Sequence, residues 1–173
     1  MEKSKGASGL SGSRQKPFYA SGLRFSCTRC SACCRYESGY VFLSRKDLGV
    51  LVKALNMGYT EFMETYCRWV PSLAGPERLS LREKSNFDCI FWVQPQEGPG
   101  GCSVYNARPL QCRAFPFWPH VLGSQGSWKD TAADCPGMEH GRLYTAEDIE
   151  AWLERQEAEP IIIRKTERFK GGG

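Results

Sequence analysis

The segment CTRCSACC, from Cys27 to Cys34, places four thiols within eight residues. Thiols at this density can form disulfide bonds, act as redox catalysts or bind metal ions. The spacing C-x-x-C occurs twice in succession, from Cys27 to Cys30 and from Cys30 to Cys33. A two-residue spacer lets both sulfurs point to one centre, and three sulfurs in this arrangement can bind one iron–sulfur cluster. Zinc sites use similar pairs, which ligands far along the chain usually complete.

Five further cysteines follow, so that the chain has nine in total. Cys102 follows a Gly-Pro-Gly-Gly turn, Cys112 lies between two prolines, and Cys135 directly precedes a proline. Such turn positions leave sulfurs and amides free to converge on an ion. Cys67 instead falls on the apolar side of a predicted helix, where a small buried hydrophobic residue is the better interpretation. The candidate metal ligands are therefore Cys27, Cys30, Cys33, Cys34, Cys89, Cys102, Cys112 and Cys135.

The adjacent pair Cys33 and Cys34 bears on the number of metal ions. Neighbouring side chains diverge, so both thiolates seldom bind one ion as terminal ligands. We expect the pair to split between two centres or to bridge two ions with one thiolate, and both arrangements predict more than one ion. Positive charge would stabilise the thiolates. The arginines close to cysteines in the sequence are Arg29, Arg35, Arg108 and Arg113.

The two histidines are weaker ligand candidates, because neither belongs to an H-x₃₋₅-H pair. His120 follows the aromatic run FPFWP, and we expect it to be a polar group at the surface or beside the ligands. His140, within GMEHGR, has still less support as a ligand.

Length and composition are those of one soluble globular domain: 173 residues, 41% hydrophobic and 24% charged. The net charge of +4 comes from scattered basic residues and gives no case for a nucleic-acid partner. No apolar run approaches the roughly 20 residues of a membrane-spanning helix, and no apolar segment follows the basic N-terminus as in a signal peptide. We therefore expect a cytoplasmic protein. In a reducing cytosol these cysteines favour metal binding or catalysis over disulfide bonds.

Three stretches predict the helices that must help to position the cysteines. An S-x-x-D capping box starting at Ser44 precedes an amphipathic helix over residues 45–56. A second helix begins near Thr60 and is expected to continue to Pro71, which cannot extend it. A third amphipathic helix follows a second capping box at Thr145.

Strands are predicted over residues 40–44 and in the segments RLSLREK and FDCIFWVQ, whereas the prolines within 108–119 favour loops. The expected fold is a small α+β domain stapled by metal, with two or three short helices, a few short strands and long irregular loops. We expect a disordered arm over residues 1–20, a cysteine-cluster metal-binding domain over 21–160 and a C-terminal tail over 161–173.

These motifs together resemble the YkgJ-type cysteine-cluster family of zinc- or iron-chelating domains. The segment FSCTRCSACC at 25–34 matches the family's opening F-x-C-x-x-C-x-x-C-C, and VFLSRKD and CIFW match the elements that follow. The segment CSVYNARPLQCRAFP at 102–116 matches C-x-x-Y-x-x-R-P-x-x-C-R-x-F-P, and Cys135 completes the set. The resemblance covers about residues 24–138. Ser31 and Ala32 occupy the place where the family usually has a glycine.

The resemblance implies metal binding through the eight matching cysteines, with zinc or an iron–sulfur cluster as the cofactor. Some relatives are described as flagellin lysine methylases, which implies an iron–sulfur or thiol-dependent enzyme as an alternative function. The chain lacks a G-x-G-x-x-G nucleotide loop. The acids nearest the motifs are Asp47 and Asp134, of which Asp47 is better explained as a helix cap. A third alternative is an interaction module that uses the aromatic run at 115–119, although hydrophobic core is the favoured role of that run.

Overall fold

The structure is a computed structural model that describes residues 16–164. Over these residues the chain forms five α-helices, six short β-strands and two 3₁₀ turns, which makes the α+β class correct. The helices are α1 (Arg45–Leu55), α2 (Tyr59–Tyr66), α3 (Leu110–Ala114), α4 (Gln125–Asp134) and α5 (Ala146–Ala158). The strands are β1 (Leu23–Phe25), β2 (Cys67–Ser72), β3 (Gly75–Leu81), β4 (Trp92–Val93), β5 (Gly101–Cys102) and β6 (Arg142–Tyr144), and the 3₁₀ turns are Ala32–Cys34 and Tyr105–Ala107.

The number of helices exceeds the two or three predicted from sequence. The two additional helices are α3, which starts directly after Pro109, and α4, which Ser124 caps by accepting a hydrogen bond from the Ser127 N–H. Neither segment has a clear amphipathic pattern: α4 reads QGSWKDTAAD and buries only Trp128. Burial of this one large aromatic side chain against the rest of the protein stabilises α4, which has no continuous apolar face.

The strands pair as three two-stranded antiparallel ribbons, β1 with β6, β2 with β3, and β4 with β5. Isolated bridges extend the middle ribbon, since Phe42 pairs with Ser80 and Arg78 pairs with Ile163. The segment 40–44, predicted to be a strand, is therefore extended but pairs with β3 through an isolated bridge instead of forming a continuous strand. Two-stranded ribbons are marginal by themselves, so each one depends on the helices and loops packed against it.

The predictions for α1 and α5 are confirmed, and their capping boxes at Ser44 and Thr145 are both formed. The prediction that the second helix continues to Pro71 is wrong, because α2 ends at Tyr66 and β2 follows at once. Pairing with β3 outweighs the helical pattern there, and the register shifts next to Pro71, which has no N–H to donate.

The buried apolar side chains form two separate clusters. The first core contains Leu43, Leu48, Leu51, Val52, Phe62, Cys67, Leu79, Leu81, Phe91 and Val104. The second core contains Tyr19, Phe25, Phe117, Val121, Leu122, Trp128, Met138 and Ile149. Cys67 is only 3% exposed in the first core, which confirms its interpretation as a buried hydrophobic residue. Phe117 is buried in the second core, so the aromatic run at 115–119 contributes to packing.

Helix α3 is tied to the extended segment before α1 by side-chain hydrogen bonds. The Asp47 carboxylate caps α1 and also accepts a 2.7 Å hydrogen bond from the Leu110 N–H. The Gln111 side chain accepts from the Phe42 N–H at 2.9 Å and donates to the Tyr40 carbonyl at 2.7 Å. These contacts fix the position of α3 relative to the first core, and α3 carries one of the candidate ligands.

Parts of the predicted terminal segments lie outside the described residues. The structure does not describe residues 1–15 of the predicted arm or residues 165–173 of the predicted tail. Of the remaining residues, Tyr19 is buried in the second core, and Ile161 bridges to Ser44. Over residues 16–164, no helix combines the length and the apolar character needed to cross a membrane.

Replacing Asp47 by alanine is expected to lower the free energy of unfolding by about 2–3 kcal/mol, because the change removes a helix cap and leaves the buried Leu110 N–H without its acceptor. Urea denaturation of the metal-free chain measures the loss. The control is Asp130→Ala, at an exposed site within α4, where a change within about 0.5 kcal/mol is expected. Equal stability of the two variants would contradict a tethering role for Asp47.

Candidate metal centre

The cysteine-rich loop has little regular structure of its own. Residues 26–31 form neither helix nor strand, and the 3₁₀ turn that contains Cys33 and Cys34 follows. Arg29 (φ 58°) and Ser31 (φ 67°) both adopt the left-handed conformation that favours glycine. Of Ser31 and Ala32, which occupy the place of the glycine expected from the family resemblance, Ser31 has the conformation that favours glycine.

The end of the loop docks on the segment that contains Cys89. The Cys89 N–H donates to the Cys34 carbonyl at 2.9 Å. One residue further on, the Arg35 guanidinium donates to the buried Asp88 carboxylate at 3.1 Å and stacks 3.7 Å from the centre of the Trp92 ring. The paired backbones therefore hold Cys34 beside Cys89.

The downstream cysteines lie on or next to ordered elements. Cys102 ends β5 and pairs with Trp92 of β4, while Cys112 lies in α3. Cys89 and Cys102 pack against the first core, whereas Cys135 ends α4 and packs against the second core. Cys89, Cys102 and Cys135 thus lie at the edges of the two cores.

Four of the candidate ligands border a small cavity of about 30 Å³. We call Cys27, Cys30, Cys33 and Cys135 the outer group; Phe25 and Phe115 complete the apolar part of the cavity wall. Cys27, Cys30 and Cys33 are exposed, and Cys135 is half-buried. The sequence spacing identified three of these residues, and the fold adds Cys135 from more than 100 positions away.

The other four candidate ligands, Cys34, Cys89, Cys102 and Cys112, are all half-buried, and we call them the inner group. Burial raises the pKa of the Cys112 thiol, and nearby negative charge on Cys89 and Cys102 raises it further. Charge on Cys89 and Cys112 likewise contributes to the raised pKa of Cys34. The Cys112 sulfur therefore lies within electrostatic range of Cys89 and Cys102, and the Cys34 sulfur within range of Cys89 and Cys112.

The adjacent thiols of Cys33 and Cys34 have pKa values that shift in opposite directions. A hydrogen bond between the two thiols is the largest cause: it lowers the pKa of Cys33 and raises the pKa of Cys34. The Cys34 thiol also lies 3.4 Å from the Ser31 carbonyl, to which it donates. Charge on Cys33 raises the pKa of Cys135 in the outer group and of all four inner thiols, so its sulfur lies near both groups.

Backbone N–H groups help to lower the pKa of three of the downstream thiols. Burial raises the pKa of Cys89, Cys102 and Cys135, and in each case a backbone donor two residues further along the chain opposes that shift. The donors are the N–H groups of Phe91, Val104 and Gly137. Donors of this kind stabilise a thiolate, which is the form that binds metal.

Two cations lie close enough to the thiols to affect them. Arg108 donates to the Tyr105 carbonyl at 2.9 Å and stacks on the Tyr105 ring, and its charge helps to lower the pKa of Cys33. Lys84 has a similar effect on Cys89. Lys84 was not among the residues that sequence spacing selected, because an isolated bridge between Glu83 and Cys89, rather than a motif, brings it near.

The other arginines predicted beside the cysteines are engaged mainly elsewhere. Arg35 pairs with Asp88, and Arg113 donates to the Arg108 carbonyl at 3.1 Å. Arg29 stacks on the Tyr105 ring at 4.5 Å. The predicted cationic environment therefore depends chiefly on Arg108.

The donor set suits a metal that binds sulfur, since soft thiolate ligands select zinc, copper(I) or iron–sulfur clusters. Among residues 16–164, no three His, Cys, Asp or Glu side chains are arranged closely enough to hold an ion as they stand. Binding would therefore draw the sulfurs of a group together. His120 and His140 are both exposed, and the His120 ring packs against Trp118.

Comparison with known proteins agrees with this chemistry. The family model CxxCxxCC, whose description reads "Putative zinc- or iron-chelating domain", matches residues 26–136. The "Uncharacterized protein MJ0661" of Methanocaldococcus jannaschii is 27% identical over 99 residues, which are 57% of this chain and 48% of that protein. The chain thus spans about half the length of this curated relative. No solved structure matches the chain significantly.

Alkylation of the reduced, metal-free chain at pH 8 is expected to modify Cys27 and Cys30 first and Cys67 much later. Cys27 and Cys30 are exposed, whereas burial raises the pKa of Cys67 to about 11, an effect that Arg82 only partly offsets. At pH 8 roughly one Cys67 side chain in a thousand is then the reactive thiolate. Mass spectrometry of timed samples measures the order, and Cys67 reacting as fast as Cys27 would contradict its buried position.

Replacing Ser31 by glycine is expected to stabilise the loop by about 0.5–1 kcal/mol, because it removes the left-handed strain at a modest entropic cost. Hydrogen exchange of the Cys34 N–H, which donates to the Ser31 carbonyl, should slow about two- to five-fold in the metal-free chain. Ser85→Gly is the control, since Ser85 is exposed and not among the residues with positive φ. Faster exchange in the Ser31 variant would contradict the expectation.

Proposed function

The chain belongs to the CxxCxxCC family of zinc- or iron-chelating domains, as its YkgJ-type motifs indicated, and from this premise we propose that its eight cysteines hold two metal centres. In this proposal the outer group, Cys27, Cys30, Cys33 and Cys135, forms one centre. The inner group, Cys34, Cys89, Cys102 and Cys112, forms the other.

The division of Cys33 and Cys34 between the groups carries this proposal. Cys33 borders the outer cavity, whereas Cys34 does not border it and its carbonyl bonds to the Cys89 N–H instead. The two thiols of this 3₁₀ turn hydrogen-bond to each other, yet only Cys33 borders the outer cavity. Because Cys33 also lies near the inner thiols, its sulfur is suited to bridging the two centres.

The thiolate ligands are compatible with zinc and with iron. Zinc in a four-thiolate site is coordinatively closed and stabilises the fold. Iron, alone or in a cluster with sulfide, would add redox chemistry. In either case the backbone donors at Cys89, Cys102 and Cys135, together with Arg108, would offset the negative charge of the thiolates.

The size of the outer cavity favours ion binding over catalysis on an organic substrate. Pockets for small organic ligands usually enclose about 300–1,000 Å³, and the outer cavity has about 30 Å³. A larger cavity of about 340 Å³ lies beside α4, lined by residues that include Trp128, Lys129 and Glu139, and no cysteine borders it. The cysteines and the larger cavity are therefore at different places in the fold.

Metal analysis tests the proposal directly. We expect the chain, purified without oxygen, to contain either two zinc ions or stoichiometric iron with acid-labile sulfide. Visible absorption accompanies only the iron form, because thiolate-to-iron charge transfer is coloured and zinc is not. A metal-free chain with intramolecular disulfide bonds would overturn the proposal, and one ion per chain would overturn the assignment to two centres.

Single substitutions test which cysteines belong together. Cys135→Ser is expected to remove the outer centre and leave the inner one, and Cys112→Ser is expected to do the reverse. Cys67→Ala is the matched control, because Cys67 lies in the first core and belongs to neither group. Metal content, measured by native mass spectrometry, should fall by half in each of the first two variants. Loss of all metal in both would show that the eight cysteines act as a single unit.

A further inference from the structure

We propose that the two centres differ in function: the outer centre exchanges its ion with a thiol-bearing acceptor, whereas the inner centre retains its ion. This inference rests on the proposed function, since it requires two centres. It assigns the chain a role as a metal carrier whose cargo occupies the outer group, and it specifies the chemistry of the acceptor.

Accessibility is the first argument. Three of the four outer thiols, Cys27, Cys30 and Cys33, are exposed. All four inner thiols are half-buried, and Cys89 and Cys102 pack against the first core. An incoming ligand can therefore approach the outer sulfurs from solvent, while protein atoms shield the inner sulfurs. Ligand exchange at a metal requires such an approach whenever the incoming group binds before the old one leaves.

The backbone of the outer group is the second argument. Within residues 16–164, no N–H from Cys27 to Ser31 donates to another backbone carbonyl. Arg29 and Ser31 also adopt left-handed conformations that cost side-chain-bearing residues free energy. A segment with few hydrogen bonds and local strain opens at a low free-energy cost. Cys27 and Cys30 can thus leave and rejoin an ion without disturbing either core.

The inner group is built on elements that cannot open so easily. Cys102 is paired with β4, and Cys89 donates to the Cys34 carbonyl. Cys112 lies in α3, which the Asp47 carboxylate and the Gln111 side chain fasten to the segment before α1. Releasing an inner ligand would break several of these hydrogen bonds and expose part of the first core.

The exchange step conserves charge and needs no oxidant. An acceptor thiol loses its proton and forms a bond to the ion through sulfur. The bond from the ion to Cys27 then breaks, and the departing thiolate takes up the proton. Repetition at Cys30 leaves the ion shared between two acceptor and two protein thiolates, and the same exchange at Cys33 and Cys135 with a second acceptor pair completes the transfer. An acceptor with two thiols at a C-x-x-C spacing suits this step, because its second sulfur replaces the next ligand without a new encounter.

The test uses the full-length chain loaded with two zinc ions, and a synthetic peptide containing one C-x-x-C pair as the acceptor. Native mass spectrometry follows the zinc content over time. We expect one ion to leave at least about ten-fold faster than the other, which corresponds to about 1.4 kcal/mol in activation free energy. The rate of the fast step should rise in proportion to the peptide concentration, as direct transfer requires.

Alkylation of the wild-type chain after the fast step identifies the centre that has emptied. We expect modification of Cys27, Cys30 and Cys135, with the inner group protected, and this readout does not depend on a variant that folds poorly. Cys112→Ser, if it folds, should retain only the fast-exchanging ion. Two ions that leave together, a rate independent of peptide concentration, or loss of protection at the inner group first would each overturn this inference. Fewer than two zinc ions at the start would instead overturn the proposed function.

Discussion

The hydrogen bond from the Cys89 N–H to the Cys34 carbonyl joins the C-terminal end of the cysteine-rich loop to the segment of Cys89, and the position of Cys33 and Cys34 beside the downstream thiols depends on it. The loop has almost no regular structure, so it needs an external attachment point. The ion pair between Arg35 and the buried Asp88 reinforces this point from the next residue along each segment. A charge-assisted hydrogen bond to a carboxylate that is only 3% exposed is stronger than its counterpart at the surface. One backbone hydrogen bond and one ion pair thereby fix the position of the loop, although the loop is not part of a β-sheet.

The division of the hydrophobic side chains into two cores gives the thiols a structural role beyond binding. Each core is small, and a chain that divides its apolar residues in this way gains less from burial than one with a single core. Cys89 and Cys102 lie at the edge of the first core, and Cys135 lies at the edge of the second. The outer group combines Cys135 with the loop that is docked on Cys89. Metal bound there would connect the cores, which is how metals commonly stabilise small domains.

Sequence analysis was most successful where structure depends on nearby residues. The capping boxes at Ser44 and Thr145 involve residues three apart, and both are formed as predicted. The end of α2 could not be predicted from neighbouring residues, because the pairing of β2 with β3 replaces the predicted last turn of that helix. Lys84 reaches Cys89 through a bridge between non-adjacent segments, and Cys135 reaches the outer group through the packing of α4. Sequence spacing identified candidate ligands, and the fold adds which four of them border one cavity.

The longest motif, C-x-x-Y-x-x-R-P-x-x-C-R-x-F-P, can now be explained residue by residue. Tyr105 provides the ring and the carbonyl that hold the Arg108 guanidinium, which places positive charge near the thiols. Pro109 stands at the N-terminus of α3, where the absence of an N–H costs nothing, and three residues later α3 presents Cys112. Phe115 then leaves the helix and lines the cavity of the outer group. One short segment thus contributes the candidate ligand Cys112, a wall of the outer cavity and positive charge near the thiols. An insertion within it would separate α3 from either the cation or the outer cavity.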